Sequence, residues 1–321
     1  METKTFYRQP LSAQVKKGLA RAFQKFTEYD LAKYNRDGAV KLRDVLFLSH
    51  AKPQDKQQAS LWKRLVDNKL ETPDTWEVAL SATKGEDKRA EWERLLKERK
   101  LGALALLRNL RNMHEAGVKE KLIFEALADM KIERVLPFRF ITAAKYAPQW
   151  ENKIEPIMFK AIEGHEKMAG KTVLLIDNSG SMRHGRVSAK SELSYFDAAG
   201  ALAILLREIC EDVTIMSFSD TCQIVPARRG FALPEAISKA TVVGGTYLGK
   251  AVYDANKIKA DRLIVLTDEQ SADAVPNPKA KNAYMINVAA SKNGVGYGAW
   301  THIDGFSEAI VDYIKAYEAM K

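Results

Sequence analysis

The sequence predicts two unlike halves: an all-helical array over residues 1–170, then a doubly wound, mainly parallel α/β domain over residues 171–321. Two observations carry this division. Up to Gly170, apolar residues recur at helical spacing and no alternating strand pattern interrupts them. Beyond it, short apolar runs alternate with amphipathic helical segments, the grammar of a parallel sheet covered on both faces. A third observation concerns chemistry. Thr172-Val-Leu-Leu-Ile-Asp177 reads as a strand buried on both faces and runs directly into Asn178-Ser-Gly-Ser-Met182. That loop falls at the carboxyl end of a strand, where open α/β sheets place their ligand sites.

In the first half, helices are expected near 11–34, 40–49, 56–67, 73–82, 87–97, 101–113, 118–128, 137–146 and 150–168. Pro53, Pro73, Pro137, Pro148 and Pro156 punctuate their starts and junctions. Short helices joined by short turns suggest helix pairs stacked as a HEAT-like solenoid. In the second half, strands are expected at 172–177, 213–218, 222–225, 262–268 and 283–288. Helices are expected at 188–210, from 234, after Gly244-Gly245, and at 306–320.

A chain of 321 residues that is 46% apolar is long enough for two cores. No apolar run reaches the roughly 18 residues that a spanning helix needs, and Met1-Glu-Thr-Lys-Thr-Phe-Tyr-Arg8 lacks an apolar signal core. Cys210 and Cys222 lack CxxC spacing and read as reduced thiols of a cytoplasmic protein with no membrane partner. Residues 1–170 hold 33 Lys+Arg against 24 Asp+Glu, whereas residues 171–321 hold 17 of each. The whole net charge of +9 therefore lies on the helical half. This favours a polyanion surface there, nucleic acid above all, over mere solubility.

Asp177, Ser179 and Ser181 alternate, so that their oxygens can converge on one point while Gly180 supplies backbone freedom. Thr246 follows Gly244-Gly245 before a helix, and Asp268 ends the strand 262–268. Two carboxylates and three hydroxyls suit a hard cation, Mg²⁺ above all. A Ser- and Gly-rich strand-to-helix turn is the plain alternative. A phosphate loop does not fit, because no Gly-Lys-Ser/Thr follows and Asp177 would repel phosphate. Nor is a paired carboxylate or histidine placed in this motif to activate water, since His184 stands alone; the protein is read as no enzyme.

Asp-x-Ser-x-Ser, a later Thr and a later strand-terminal Asp together resemble the metal-ion-dependent adhesion site of von Willebrand factor A domains. The resemblance implies that the two serines and the threonine bind the cation and that both aspartates act largely through water. It also implies an open coordination position that takes an anionic group from a partner.

Four phrases ahead of that domain carry a second resemblance. They are Lys33-Tyr-Asn-Arg-Asp-Gly38, Leu42-Arg-Asp-Val-Leu-Phe-Leu-Ser-His-Ala-Lys-Pro53, Ala105-Leu-Leu-Arg-Asn-Leu-Arg-Asn-Met113 and Leu136-Pro-Phe-Arg-Phe-Ile-Thr-Ala-Ala144. With Asp304-Gly-Phe-Ser-Glu-Ala-Ile-Val-Asp312 near the end, they are similar to the Ro ribonucleoprotein family, a TROVE module followed by an A-type domain. The resemblance implies a ring of HEAT-like helices that binds small noncoding Y RNAs outside and single-stranded ends of misfolded RNAs in its hole. A nuclease or other protein partner would dock through the metal site.

Residue by residue, the resemblance carries RNA contact onto Lys33, Arg36 and His50; Arg108, Arg111 and Arg139 are further candidates. Two cations can neutralise phosphates, and an imidazole can hydrogen-bond or stack on an unpaired base. Each position also has an ordinary reading: His50 as a helix-end residue, Arg108 and Arg111 as a solvated face, Arg139 as the partner of an acid. The chain departs from the family in being one residue shorter between Lys33 and Arg36, in having Ala39 where an aromatic is usual, and in a helical half about half the usual length. A protein-adhesion scaffold without RNA is the alternative function.

Overall fold

The structure is a computed structural model that describes residues 10–35, 38–71, 75–83, 87–133, 135–189, 191–289, 295, 298–307 and 309–320. It divides into two compact units, Met1–Leu101 and Gly102–Lys321. The first is helical. The second contains the remaining helices of the basic half together with the sheet.

In the first unit, α1 (Ala13–Phe23) and α2 (Glu28–Tyr34) replace the single helix expected over 11–34. The break has a local cause in Thr27-x-x-Asp30. The Asp30 carboxylate accepts from the Thr27 backbone N–H at 2.9 Å, while the Thr27 hydroxyl accepts from the Asp30 N–H. This reciprocal box satisfies two donors that a helix start leaves orphaned. Next come α3 (Leu42–Ser49), α4 (Lys56–Val66), α5 (Trp76–Ala82) and α6 (Asp87–Lys97). Phe23, Leu31, Leu46, Trp62 and Leu65 form the core beneath α1–α4. The Phe23 ring stands edge-on to Phe26 and Trp62, with centroids 5.8 and 6.1 Å away.

The second unit opens with α7 (Ala103–Glu115), α8 (Glu120–Ala128), α9 (Pro137–Tyr146) and α10 (Glu151–Ile162). Pro137 starts α9, as its fixed φ and missing N–H suit a first helical position. Pro156 does not mark a junction but lies inside α10, which gives up one backbone hydrogen bond there.

Six strands follow: β1 (Met168–Asp177), β2 (Cys210–Phe218), β3 (Cys222–Ile224), β4 (Arg262–Thr267), β5 (Asn282–Asn287) and β6 (Thr301–Asp304). Their order is β3-β2-β1-β4-β5-β6, all parallel except β3, which pairs antiparallel with β2. The chain winds outward from β1 through β2 and β3, then returns to β1's other side with β4. The topological switch therefore lies between the carboxyl ends of β1 and β4. On one face, Val173, Leu175, Met216, Val265 and Met285 pack with Leu248, Ala251 and Val252 of α14 (Leu248–Ala255). α11 (Gly180–His184) and α13 (Ala232–Ala240) are short connecting helices, and α15 (Ala309–Ala319) is the last.

α12 (Tyr195–Ile209) is apolar on every side and is buried nearly throughout, in contact with β1, α9 and α13. It was expected from residue 188 but starts at a second capping box, Ser194-x-x-Asp197. Burial opposes ionisation of Asp197, yet hydrogen bonds from Lys145 and Ser194 prevail and hold its carboxyl below the ordinary range. A lowered pKa contributes stability above the unfolded value that is lost as pH falls through the folded one. Asp197→Asn is therefore expected to cost about 1–2 kcal/mol at pH 7. The deficit should shrink in urea melts near pH 3.

Candidate functional site

Burial of β1 delivers Asp177 to the switch point with its side chain fully enclosed. Its Oδ1 accepts from the Ser179 N–H at 2.8 Å and its Oδ2 from the Thr267 hydroxyl at 2.7 Å. Desolvation pushes the Asp177 carboxyl up to about 7, the neighbouring Asp268 charge adds to this, and the hydrogen bonds oppose it. Ser179 and Ser181 face each other with their hydroxyl oxygens 3.2 Å apart. The Gly180 N–H donates to the Gly244 carbonyl at 3.0 Å, which ties this loop to the one carrying Thr246.

The second loop is held from several sides. Asp220 accepts from the Gly245 N–H at 2.8 Å, and a side chain at Gly244 would run into that carboxylate. The Tyr247 N–H donates to the Ser219 carbonyl, and the Ala272 N–H donates to the Thr246 carbonyl at 2.7 Å. Thr246 and Asp268, the latter immediately beyond β4, are both buried. All five predicted oxygen-bearing residues thus lie at the carboxyl ends of β1 and β4 or on segments that directly follow or are tied to them. The donor set fits a hard divalent cation: three neutral hydroxyls, and two nearby carboxylates of which one is made costly to ionise. Asp177, Ser179, Ser181, Thr246 and Asp268 would hold such an ion, and its charge would lower the penalty on Asp177.

A second cluster stands beside this loop. Glu269 is wholly buried, adopts φ +61°, and donates its N–H to the same Thr267 hydroxyl that caps Asp177. Its carboxylate contacts Nε2 of His302, which lies 3.7 Å from Asp304 Oδ1. These three side chains could also hold a metal ion, with ligand atoms all within 4.8 Å of one another. Sequence reasoning passed over His302 because β6 is a short, mostly polar strand with no residue fully buried.

The predicted RNA residues fall into separate groups. Lys33 projects from α2, its ammonium 5.7 and 5.8 Å from the Tyr29 and Tyr34 ring centres. His50 is exposed at the end of α3 with φ +52°, the left-handed conformation that closes a helix. Arg36 lies outside the described residues. Arg108 and Arg111, one turn apart on α7, line an open recess of about 290 Å³ with Asn112, Tyr146 and Glu192. The Arg111 guanidinium sits 5.3 Å from the Tyr146 ring centre. Burial raises the Tyr146 hydroxyl pKa, and the charge and hydrogen bond of Glu192 raise it further. Arg139 is exposed on α9, 5.7 Å from the Phe138 ring.

Both thiols are unpaired: Cys210 is buried and raised by desolvation, and burial pushes Cys222 up to about 12. Among the described residues no helix is long and apolar enough to cross a membrane.

Helices followed by a doubly wound sheet, with an oxygen-lined loop at its switch point, define a two-part class: a helical module joined to an A-type α/β domain. The family model described as "TROVE domain" matches residues 63–174. Over most of the chain, the crystal structure of the Deinococcus radiodurans Ro (RSR) protein is similar in fold. The TM-score is 0.66 at 20% identity, covering 95% of this chain and 77% of that one. No curated protein matches. Residues 63–174 are thus similar to the TROVE domain, and the chain shares its fold with that Ro protein. Lys33, Arg36 and His50 precede the matched stretch, whereas Arg108, Arg111 and Arg139 fall within it.

Proposed function

We propose that this protein is a non-catalytic RNA-binding scaffold, a cytoplasmic Ro-like ribonucleoprotein component that holds a small structured Y-like RNA or the single-stranded end of a misfolded one. The observation that carries this reading is the recess on α7, lined by four residues of the TROVE-matched stretch together with Glu192. Two exposed guanidiniums flank an amide and an aromatic ring, so phosphate neutralisation and base stacking are available side by side. The positive balance of residues 1–170 supports it. Lys33, Arg36 and His50, which belong to the first unit, are RNA-contact candidates by family resemblance, and Arg139 is an exposed cation on α9.

A salt titration with a small stem-loop RNA tests this reading. Affinity should fall steeply with ionic strength, and each lost phosphate contact should lower the slope of log K against log salt by about 0.7–0.9. The variants Lys33→Ala/Arg36→Ala and Arg108→Ala/Arg111→Ala should each lose slope. Unchanged slopes in both double variants would remove the assigned surfaces.

The oxygen-lined loop favours a second role alongside the first. Val242, Val243 and Tyr247 are exposed around the Gly244–Thr246 loop. They form an apolar collar beside a cation site of the kind that takes a partner's carboxylate. Mg²⁺ is the ion proposed, held by Asp177, Ser179, Ser181, Thr246 and Asp268, and a nuclease or other protein is the proposed visitor. If the protein binds an acidic partner in Mg²⁺ but no RNA at low salt, the adhesion-scaffold alternative replaces the RNA reading.

A further inference from the structure

We propose that Glu269, His302 and Asp304 form a second metal site, selective for a first-row transition ion of the Zn²⁺ type and distinct from the oxygen-lined loop. Nε2 of His302 contacts the Glu269 carboxylate and lies 3.7 Å from Asp304 Oδ1. An imidazole nitrogen offers either one proton or one lone pair, and so satisfies one carboxylate well. Two carboxylates and one imidazole nitrogen, with their ligand atoms all within 4.8 Å of one another, fall within the reach of a single divalent ion. Ligands about 2.0–2.1 Å from a tetrahedral ion stand about 3.4 Å apart, close to the His302–Asp304 spacing.

The donors come from places that only the fold unites. Glu269 follows β4, whereas His302 and Asp304 alternate along β6, one strand beyond β5. The backbone that carries Glu269 and the Asp304 carboxylate are each held by a neighbour. The Glu269 N–H is fixed on Thr267 Oγ1 at 3.1 Å, and Asn287 donates to Asp304 Oδ1 at 3.2 Å. Such outer contacts orient ligands and are worth roughly 10–100-fold in metal affinity.

Burial is graded across the site. The Glu269 side chain is enclosed, that of His302 is 16% exposed and that of Asp304 is 41% exposed. An ion therefore has an entrance, and three protein ligands leave a position for water or an external group. Ligand type sets the selectivity. An imidazole directs the site to Zn²⁺, Co²⁺ or Ni²⁺ over Mg²⁺ and Ca²⁺, whereas the neighbouring loop offers oxygen alone.

The test is calorimetric titration of ZnCl₂ into metal-stripped full-length protein at pH 7, with Co²⁺ absorption as the spectroscopic readout. Using the Asp177→Ala chain removes competition from the oxygen-lined loop. One Zn²⁺ per chain is expected, with affinity at least tenfold weaker in His302→Gln and in Asp304→Ala, and with visible Co²⁺ bands lost in both. Asp304→Ala alters a surface position and guards against misfolding of the histidine variant; retained Mg²⁺ stabilisation in an otherwise wild-type Asp304→Ala chain certifies its fold. If Zn²⁺ does not bind, or binds the parent and both variants equally, Glu269 and His302 are a metal-free hydrogen-bonded pair and the proposal is overturned. Neither result bears on RNA binding or on the Mg²⁺ loop.

Discussion

Magnesium is expected to raise the melting temperature of the wild-type protein and to leave that of Asp177→Ala unmoved. An ion that binds only the folded state stabilises it by RT ln(1 + [L]/Kd), about 2.7 kcal/mol at a hundredfold excess over Kd. Asp177 is the residue whose loss should be most complete. It is fully buried, it fixes the loop through the Ser179 N–H, and desolvation with the Asp268 charge lifts its carboxyl to about 7. Its ionisation therefore costs the metal-free protein stability as pH rises through that value, and bound Mg²⁺ recovers what is lost. The Mg²⁺-induced shift should accordingly be larger at pH 8 than at pH 6, because a proton competes for the same carboxylate at the lower pH. Asp177→Ala should also melt higher than wild type in EDTA at pH 8, since it deletes a buried charge. Differential scanning calorimetry reads all of these. Equal Mg²⁺ shifts in wild type and variant would place the ion elsewhere.

The other large effect lies at the opposite end of the sheet. Arg262 opens β4 and is 4% exposed. Its guanidinium makes a two-point ion pair with Glu318 of α15 and donates to Thr172 Oγ1 at 2.8 Å, while the Tyr284 hydroxyl donates to the same carboxylate at 2.9 Å. Burial opposes the Arg262 charge, yet the Glu318 contacts outweigh it and raise the pKa. Glu318→Ala leaves that cation enclosed without its counter-charge and is expected to destabilise by about 3–5 kcal/mol. Arg262→Met/Glu318→Met removes both charges and should recover most of the loss. Urea denaturation of the single and double variants measures it. A double variant as unstable as Glu318→Ala would mean that packing, not the orphaned charge, sets the cost.

The central strand was legible because its physics is simple. Val173–Ile176 are apolar without a break, and only a strand covered on both faces accommodates that. The placement of Asp177, Ser179 and Ser181 at and just beyond the strand end was legible for the same reason. Helix starts were less so. Thr27 and Ser194 both begin helices through a partner three residues on, and a capping box inside an apolar period is easily read as part of one longer helix. β6 was invisible, because Thr301–Asp304 has neither apolar run nor clean alternation and becomes a strand only by pairing with β5. His302 was lost with it. The Arg108–Arg111 spacing was visible as a helical face, but the Tyr146 and Glu192 side chains that turn it into a recess come from residues 35 and 81 positions beyond Arg111.

The hydrogen bond from Gly180 to Gly244 carries a kinetic consequence. The oxygen-lined loop draws on residue 177 at one extreme and 268 at the other, so its donors coexist only when β1 and β4 have paired and the chain between them has docked. A nucleus built from β1, α12 and β2 alone would lack Thr246 and Asp268 and offer the ion only part of its shell. Bound Mg²⁺ should therefore act almost entirely on the unfolding limb, lengthening the lifetime of the folded unit while leaving its rate of formation nearly untouched.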